Sequence, residues 1–125
     1  MIAGLDSSFF FILDSNEEAQ MVWKERELIT SAVVLYEIQK KVLKGGFTKW
    51  KTIVEDIQKA VDVVPLTPDA ALQAGQITHG TGLHGFDSLI LASLLDAGCT
   101  DIYTVDEHFS AYKKKGVTIH LLGKS

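Results

Sequence analysis

Cysteine and proline are scarce in this sequence, and no long uninterrupted apolar run is present. Cys99 is the single cysteine, so no internal disulfide can form and the fold must hold by packing. Its neighbours Gly98 and Thr100 provide no second thiol or imidazole for metal or redox chemistry. It reads as a small buried hydrophobe in a reducing cytoplasm. With two prolines, no low-complexity tract and no internal repeat, the 125 residues read as one domain spanning 1–125. The apolar stretch from Phe9 to Leu13 lies between Asp6 and Asp14 and has no basic segment before it, so it does not read as a signal peptide. No run approaches the roughly 20 apolar residues that cross a bilayer. The chain is expected to be soluble, cytoplasmic and without a membrane partner.

Positive charge is also in short supply. Sixteen acidic residues against twelve basic ones leave a net charge of −4, which is not the balance of an obvious nucleic-acid binder. The lysines are clustered, however: Lys40, Lys41, Lys44, Lys49 and Lys51 fall in one stretch and Lys113, Lys114 and Lys115 in another. Solvated helix faces account for each lysine singly, while the clusters are compatible with a phosphate track.

Short strand-like runs alternate with longer helical ones. Strands are expected at Ile2 to Leu5, at Leu28 and Ile29, at Val61 to Val64, at Ile102 to Val105 and at Val117 to Leu122. A helix should follow the first strand as far as Leu13, and another should cover Glu17 to Lys24. Thr30 and Ser31 offer an N-cap for a helix reaching Leu43, which Gly45 and Gly46 end. Further helices are expected over Thr48 to Ala60 and over Phe86 to Asp96, with a short one over His108 to Lys115. Thr67 followed by Pro68 is a strong start signal for a helix to about Thr78, after which Gly80, Gly82 and Gly85 read as a loop. Strands separated by helices imply an α/β fold of three α/β/α layers around a central parallel sheet.

Open parallel sheets bind ligands at the carboxyl ends of their strands. Asp6 directly follows the first strand and Asp106 the fourth. A lone aspartate after a strand is ordinarily a cap or turn residue, but two on one sheet edge shift that balance. Asp87 is the most informative acid. At about 100° per residue, Ile90, Leu91, Leu94 and Leu95 all lie within roughly 80° of it, and Asp96 falls on the opposite side. A carboxylate on a buried helix face costs several kcal/mol unless paired or metal-bound; the alternative is an N-terminal capping acid near the helix dipole. Glu37 lies about 60° outside the stripe of Val34, Leu35, Ile38 and Val42. Taken alone, it reads as a surface ion pair with Lys41.

Four segments in register resemble the PIN-domain family. Asp6-Ser7-Ser8 after a strand is similar to the family's opening motif, and Ser31 to Glu37 resembles the segment carrying its glutamate. Phe86-Asp87-Ser88-Leu89-Ile90-Leu91-Ala92 resembles its aspartate helix, and Thr104-Val105-Asp106-Glu107-His108-Phe109 its last strand end. In size the chain is most similar to VapC-type toxins of toxin–antitoxin pairs. Many relatives carry a further acid where this chain has His108, which leaves that corner to Asp106, with His108 as an auxiliary.

The resemblance implies a ribonuclease acting on single-stranded or loop RNA, with Asp6, Glu37, Asp87 and Asp106 as catalytic and metal-binding residues. An all-oxygen set without cysteine suits Mg²⁺ or Mn²⁺ rather than zinc. Ser7 and Thr104 are expected to hold ligands or waters by hydrogen bonds. An antitoxin and a second copy of the chain are the implied protein partners, with apolar residues of Phe9 to Leu13 and Met21 to Trp23 as a candidate surface. The alternatives are a PIN-fold binding module without catalysis and a housekeeping RNA-processing nuclease. A receiver domain or a haloacid-dehalogenase-like phosphatase would need a second acid close after Asp6, where Ser7 and Ser8 stand. Gly123-Lys124-Ser125 lacks the earlier glycine of a P-loop. His79 and His84 read as loop histidines, although His84 is placed to touch RNA.

Overall fold

Short strands separated by helices form a parallel sheet whose faces the helices cover, with right-handed crossovers the rule for such connections. The computed structural model describes residues 2–123. Its sheet contains β1 (Ile2–Leu5), β2 (Glu27–Ser31), β3 (Asp62–Val64), β4 (Asp101–Thr104) and β5 (Thr118–Leu121), ordered β3-β2-β1-β4-β5 with every pair parallel. Helices α1 (Ser7–Ile12), α2 (Glu17–Glu25), α3 (Ala32–Leu43), α4 (Ile53–Ala60), α5 (Pro68–Thr81) and α6 (Gly85–Asp96) flank it. This is the three-layer α/β arrangement the alternating pattern implies. Lys124 and Ser125 of the P-loop-like terminus lie outside the described residues, and among those described no helix is long and apolar enough to cross a membrane.

The core draws on both layers. Leu5, Phe9, Ile38, Ile57, Ile90, Leu91, Leu94, Ile102 and Phe109 are fully enclosed. Much of the apolar material between Phe9 and Trp23 is core: Phe9, Phe10, Leu13 and Val22 are buried, leaving Phe11 and Met21 exposed. A run of edge-on rings, Phe10 to Trp23 and Trp23 to Trp50, fastens α1 and α2 to the segment before α4. Helix α6 is buried on most sides, with Ser88, Ala92 and Ser93 enclosed as well as Ile90, Leu91 and Leu94. Asp96 faces solvent at its end and accepts a hydrogen bond from Thr67 Oγ1 at 2.8 Å.

Several element boundaries differ from the sequence-based expectation, the larger shifts for local reasons. Helix α4 begins at Ile53 rather than Thr48. The indole of Trp50 and the hydroxyl of Thr52 both donate to Asp56 Oδ2, at 2.7 and 2.8 Å, so residues 48–52 turn around that carboxylate. Helix α5 passes through Gly80 to Thr81, and Gly82, at φ 75°, supplies the left-handed residue that stops it. The expected helix from His108 to Lys115 is a five-residue 3₁₀ turn, Glu107–Ala111, capped by Asp106. The second strand is longer than its two apolar residues, because Thr30 and Ser31 pair before Ser31 caps α3 through the Val33 amide at 3.1 Å.

Gly4 allows β1 to lie against the chain entering β4. A Cβ there would stand 2.8 Å from Cys99 Sγ and 3.0 Å from Ile102 Cδ1. Gly4→Val should therefore lower unfolding free energy by roughly 1–3 kcal/mol through overpacking, measured by urea denaturation; unchanged stability would mean that this contact gives way freely.

Candidate active site

In an open parallel sheet the crevice forms where the strand order reverses direction. From β1 the chain builds outward through β2 and β3 on one side and later adds β4 and β5 on the other, so the reversal lies between β1 and β4. Asp6 leaves β1 there, and Thr104 ends β4 beside it. Thr104 Oγ1 donates to Asp6 Oδ2 at 2.6 Å, joining residues 98 positions apart. Asp6 Oδ1 accepts from Ser8 Oγ at 2.7 Å and from the Phe9 amide at 3.2 Å, which makes Asp6 also the N-cap of α1. Two further bonds tighten this knot: the Val105 amide donates to Ser8 Oγ at 2.9 Å and the Asp106 amide to Thr104 Oγ1 at 3.0 Å.

Asp6 is 2% exposed. Burial pushes its carboxyl up to about 6 despite those three hydrogen bonds, and the charge of Asp87 adds to the rise. Asp87, in the first turn of α6, is half-buried and also raised to about 6. Burial is again the largest cause, followed by the negative charges of Asp106 and Glu37, with the His84 imidazole acting the other way. Glu37 enters from α3, and its Oε1 is buried without a hydrogen-bond partner. Among the described residues no ion pair joins it to Lys41, whose Nζ lies over the Phe11 ring at 5.6 Å from the centroid. Asp106 caps the turn after β4, its Oδ1 accepting from the His108 amide at 2.9 Å and lying 2.9 Å from His108 Nδ1.

Asp87 is thus the electrostatic neighbour of the other three acids. The four come from the ends of β1 and β4 and from the facing parts of α3 and α6. They do not close into a cage: among the described residues no three acidic, histidine or cysteine side chains are disposed to hold a metal ion by themselves. The donor chemistry nevertheless fits a hard divalent ion, since every candidate ligand is oxygen and one buried oxygen lacks a partner.

A sequence model described as the PIN domain matches residues 4–115. The chain belongs to the PIN domain family. Solved structures with the same fold include VapBC2 from Rickettsia felis bound to a promoter DNA fragment, at 15% identity and TM-score 0.75, covering 98% of this chain and 100% of that one. VapBC-5 of Mycobacterium tuberculosis aligns at 22% identity and TM-score 0.73, covering 97% and 98%. VapC20 of the same organism, described as a sarcin–ricin loop cleaving toxin, aligns at 21% and 0.70, covering 87% and 93%. A search of curated proteins gives no significant match.

In this PIN domain the hydroxyl that holds Asp6 alongside Thr104 belongs to Ser8, where the sequence pointed to Ser7. The signal lay in the spacing. An aspartate at an N-cap accepts from the chain two or three residues on, and here Ser8 Oγ and the Phe9 amide are the donors that reach it. His79 is exposed in the last turn of α5 rather than in the loop, while His84 is the N-cap residue of α6.

The raised carboxyls carry a stability consequence with a definite sign. Asp6 and Asp87 stand above their ordinary value of 3.8, so the folded chain keeps protons that the unfolded chain releases between about pH 4 and 6. Without a cation, stability therefore falls as pH rises through that window. A rise from 3.8 to about 6 for Asp87 corresponds to about 3 kcal/mol, which half-exposure reduces to roughly 1–2. In chelator, Asp87→Asn should be more stable than the parent by that amount near about pH 7.5, the gain fading by about pH 4. Urea unfolding at both pH values measures it, and an equal gain at each would assign the effect to packing rather than charge.

Proposed function

We propose that this PIN domain is a divalent-metal-dependent endoribonuclease that cuts single-stranded or looped RNA and serves as the toxin of a toxin–antitoxin pair. The observation that carries this reading is the grouping of Asp6, Glu37 and Asp106 around Asp87 at the strand-order reversal, with the unpartnered Glu37 oxygen among them. The sarcin–ricin loop cleaving activity named for one similar toxin, and the VapBC complexes among the similar structures, support the RNA substrate and the antitoxin.

Asp6, Glu37 and Asp87 would hold Mg²⁺ or Mn²⁺, with Asp106 completing the set. Bound there, the ion would supply Lewis-acid activation of a water for in-line attack on a phosphodiester and would neutralise charge at the scissile phosphate. The chain's own contribution is to keep the acids in place. Thr104 and Ser8 grip opposite oxygens of Asp6, so repulsion from Asp87 cannot swing it out of the site. His108 restrains Asp106 in the same way from the solvent side. Burial around Asp6 strengthens carboxylate–cation attraction by lowering the local dielectric.

The partner surface follows from what the core leaves open. Phe10, Phe11, Phe47 and Trp50 line a groove between α1 and the segment before α4, with Phe11 stacked on Phe47 at 5.3 Å; an apolar antitoxin segment fits it. Exposed apolar residues elsewhere, Leu43 and Leu72 among them, support a homodimer. Size-exclusion chromatography with light scattering tests this, and a monomer at micromolar concentration overturns it.

Purified protein should cleave RNA only with Mg²⁺ or Mn²⁺. Asp6→Asn should lower the rate on the order of 100-fold or more, and Thr104→Val by roughly 10- to 100-fold, the usual cost of removing a ligand's supporting bond. Cleavage that persists in excess chelator, or at full rate in Asp6→Asn, rules the reading out. Calorimetric titration separates the catalytic reading from a binding-only PIN module, which would show no tight Mn²⁺ site.

A further inference from the structure

Tyr36 and Phe86 each precede an acid of the site, Glu37 and Asp87 respectively, yet neither ring joins the hydrophobic core or packs against it. Tyr36 is 53% exposed. The two rings meet instead across α3 and α6, with centroids 5.5 Å apart and planes tilted by 34°. His84 continues the strip, its ring 6.1 Å from Phe86 and tilted by 39°. Lys40, one helical turn beyond Tyr36, places Nζ 5.6 Å from the centre of that ring. Four side chains from two elements therefore form a continuous aromatic and cationic surface beside the acids. Core packing does not account for it.

We infer that this strip is a nucleobase platform: unpaired bases of the RNA next to the scissile phosphate stack on Tyr36 and Phe86, while Lys40 meets a neighbouring phosphate. The inference rests on the nuclease reading and deepens it. Single-stranded RNA is held chiefly by stacking of splayed bases on aromatic rings, with cations reading the backbone. The chemistry also suits this chain in particular. Its net charge of −4 gives little overall attraction for phosphates, and stacking needs no charge. His84 of the strip is an electrostatic neighbour of Asp87, so a base stacked along the strip belongs to a nucleotide near the acids. The platform then selects unpaired segments, because a base inside a duplex cannot present its face to Tyr36.

The test uses the full chain with a short single-stranded RNA carrying 2-aminopurine. In a cleavage-inert Asp6→Asn background, binding should quench the fluorophore. Adding Tyr36→Ala should remove the quench and weaken binding by roughly 5- to 100-fold, the range expected for one lost base stack. Tyr36→Phe, which keeps the ring, should bind like the parent. In the otherwise unaltered enzyme with Mg²⁺, Tyr36→Ala should raise KM by a similar factor and leave kcat within a few-fold. A fully base-paired RNA should gain nothing from Tyr36. Unchanged affinity and quench in Tyr36→Ala overturns the platform, as does an equal loss in Tyr36→Phe. So does a loss of self-association in Tyr36→Ala with RNA affinity intact, which would give the rings to a second copy of the chain. Failure of the parent to cleave any RNA with Mg²⁺ overturns the nuclease reading itself, a result separate from all of these.

Discussion

The parallel pairing of β1 with β4 is the contact on which the acidic edge depends. It aligns Gly4 with Ile102 and Leu5 with Tyr103, and Gly4, which presents no side chain toward Cys99 and Ile102, lets the two strands close without displacing either. One residue beyond the paired segment, Asp6 meets Thr104. That hydrogen bond joins the start of the chain to a position 98 residues later, and it fixes where α1 and the turn at Asp106 begin. Helices α3 and α6 then need only pack on the sheet for Glu37 and Asp87 to reach the same edge.

Packing acids in this way opposes folding. Asp6 is buried and Asp87 stands among like charges, and both carboxyls are pushed up to about 6. An ordinary core would replace them with apolar groups. Their arrangement is one of strain held in place by well-made hydrogen bonds around Asp6 and by a largely buried helix around Asp87. A cation would turn that repulsion into attraction, so residues that weaken the fold by themselves would favour a metal-loaded form.

Several acids were legible for reasons that differ between them. Asp87 stood out by its own position, since a helix otherwise lined with Ile90, Leu91 and Leu94 has no ordinary use for a carboxylate there. Asp6 and Asp106 were legible as acids just beyond two strands, and the capping role expected of such acids is present in both. Glu37 was hidden. Helical spacing suggested a pair with Lys41, and only the packed structure shows the lysine turned to Phe11 and the carboxylate oxygen left without a partner. Boundaries failed where side chains competed with the backbone, as around Asp56, or where a glycine tolerated in a helix was read as its end.

Local composition by itself determined the alternation of strands and helices and the parallel sheet. Those follow from hydrophobic period, capping residues and the need to cover both sheet faces, which act within a few residues of one another. The strand order, and with it the neighbours of each acid, was decided only by the tertiary structure. Which strand lies beside β1 depends on contacts between segments about a hundred residues apart, and no periodicity carries that information. For the same reason the Ser8 and Thr104 grip on Asp6, and the meeting of Tyr36 with Phe86, became visible only once the helices were packed.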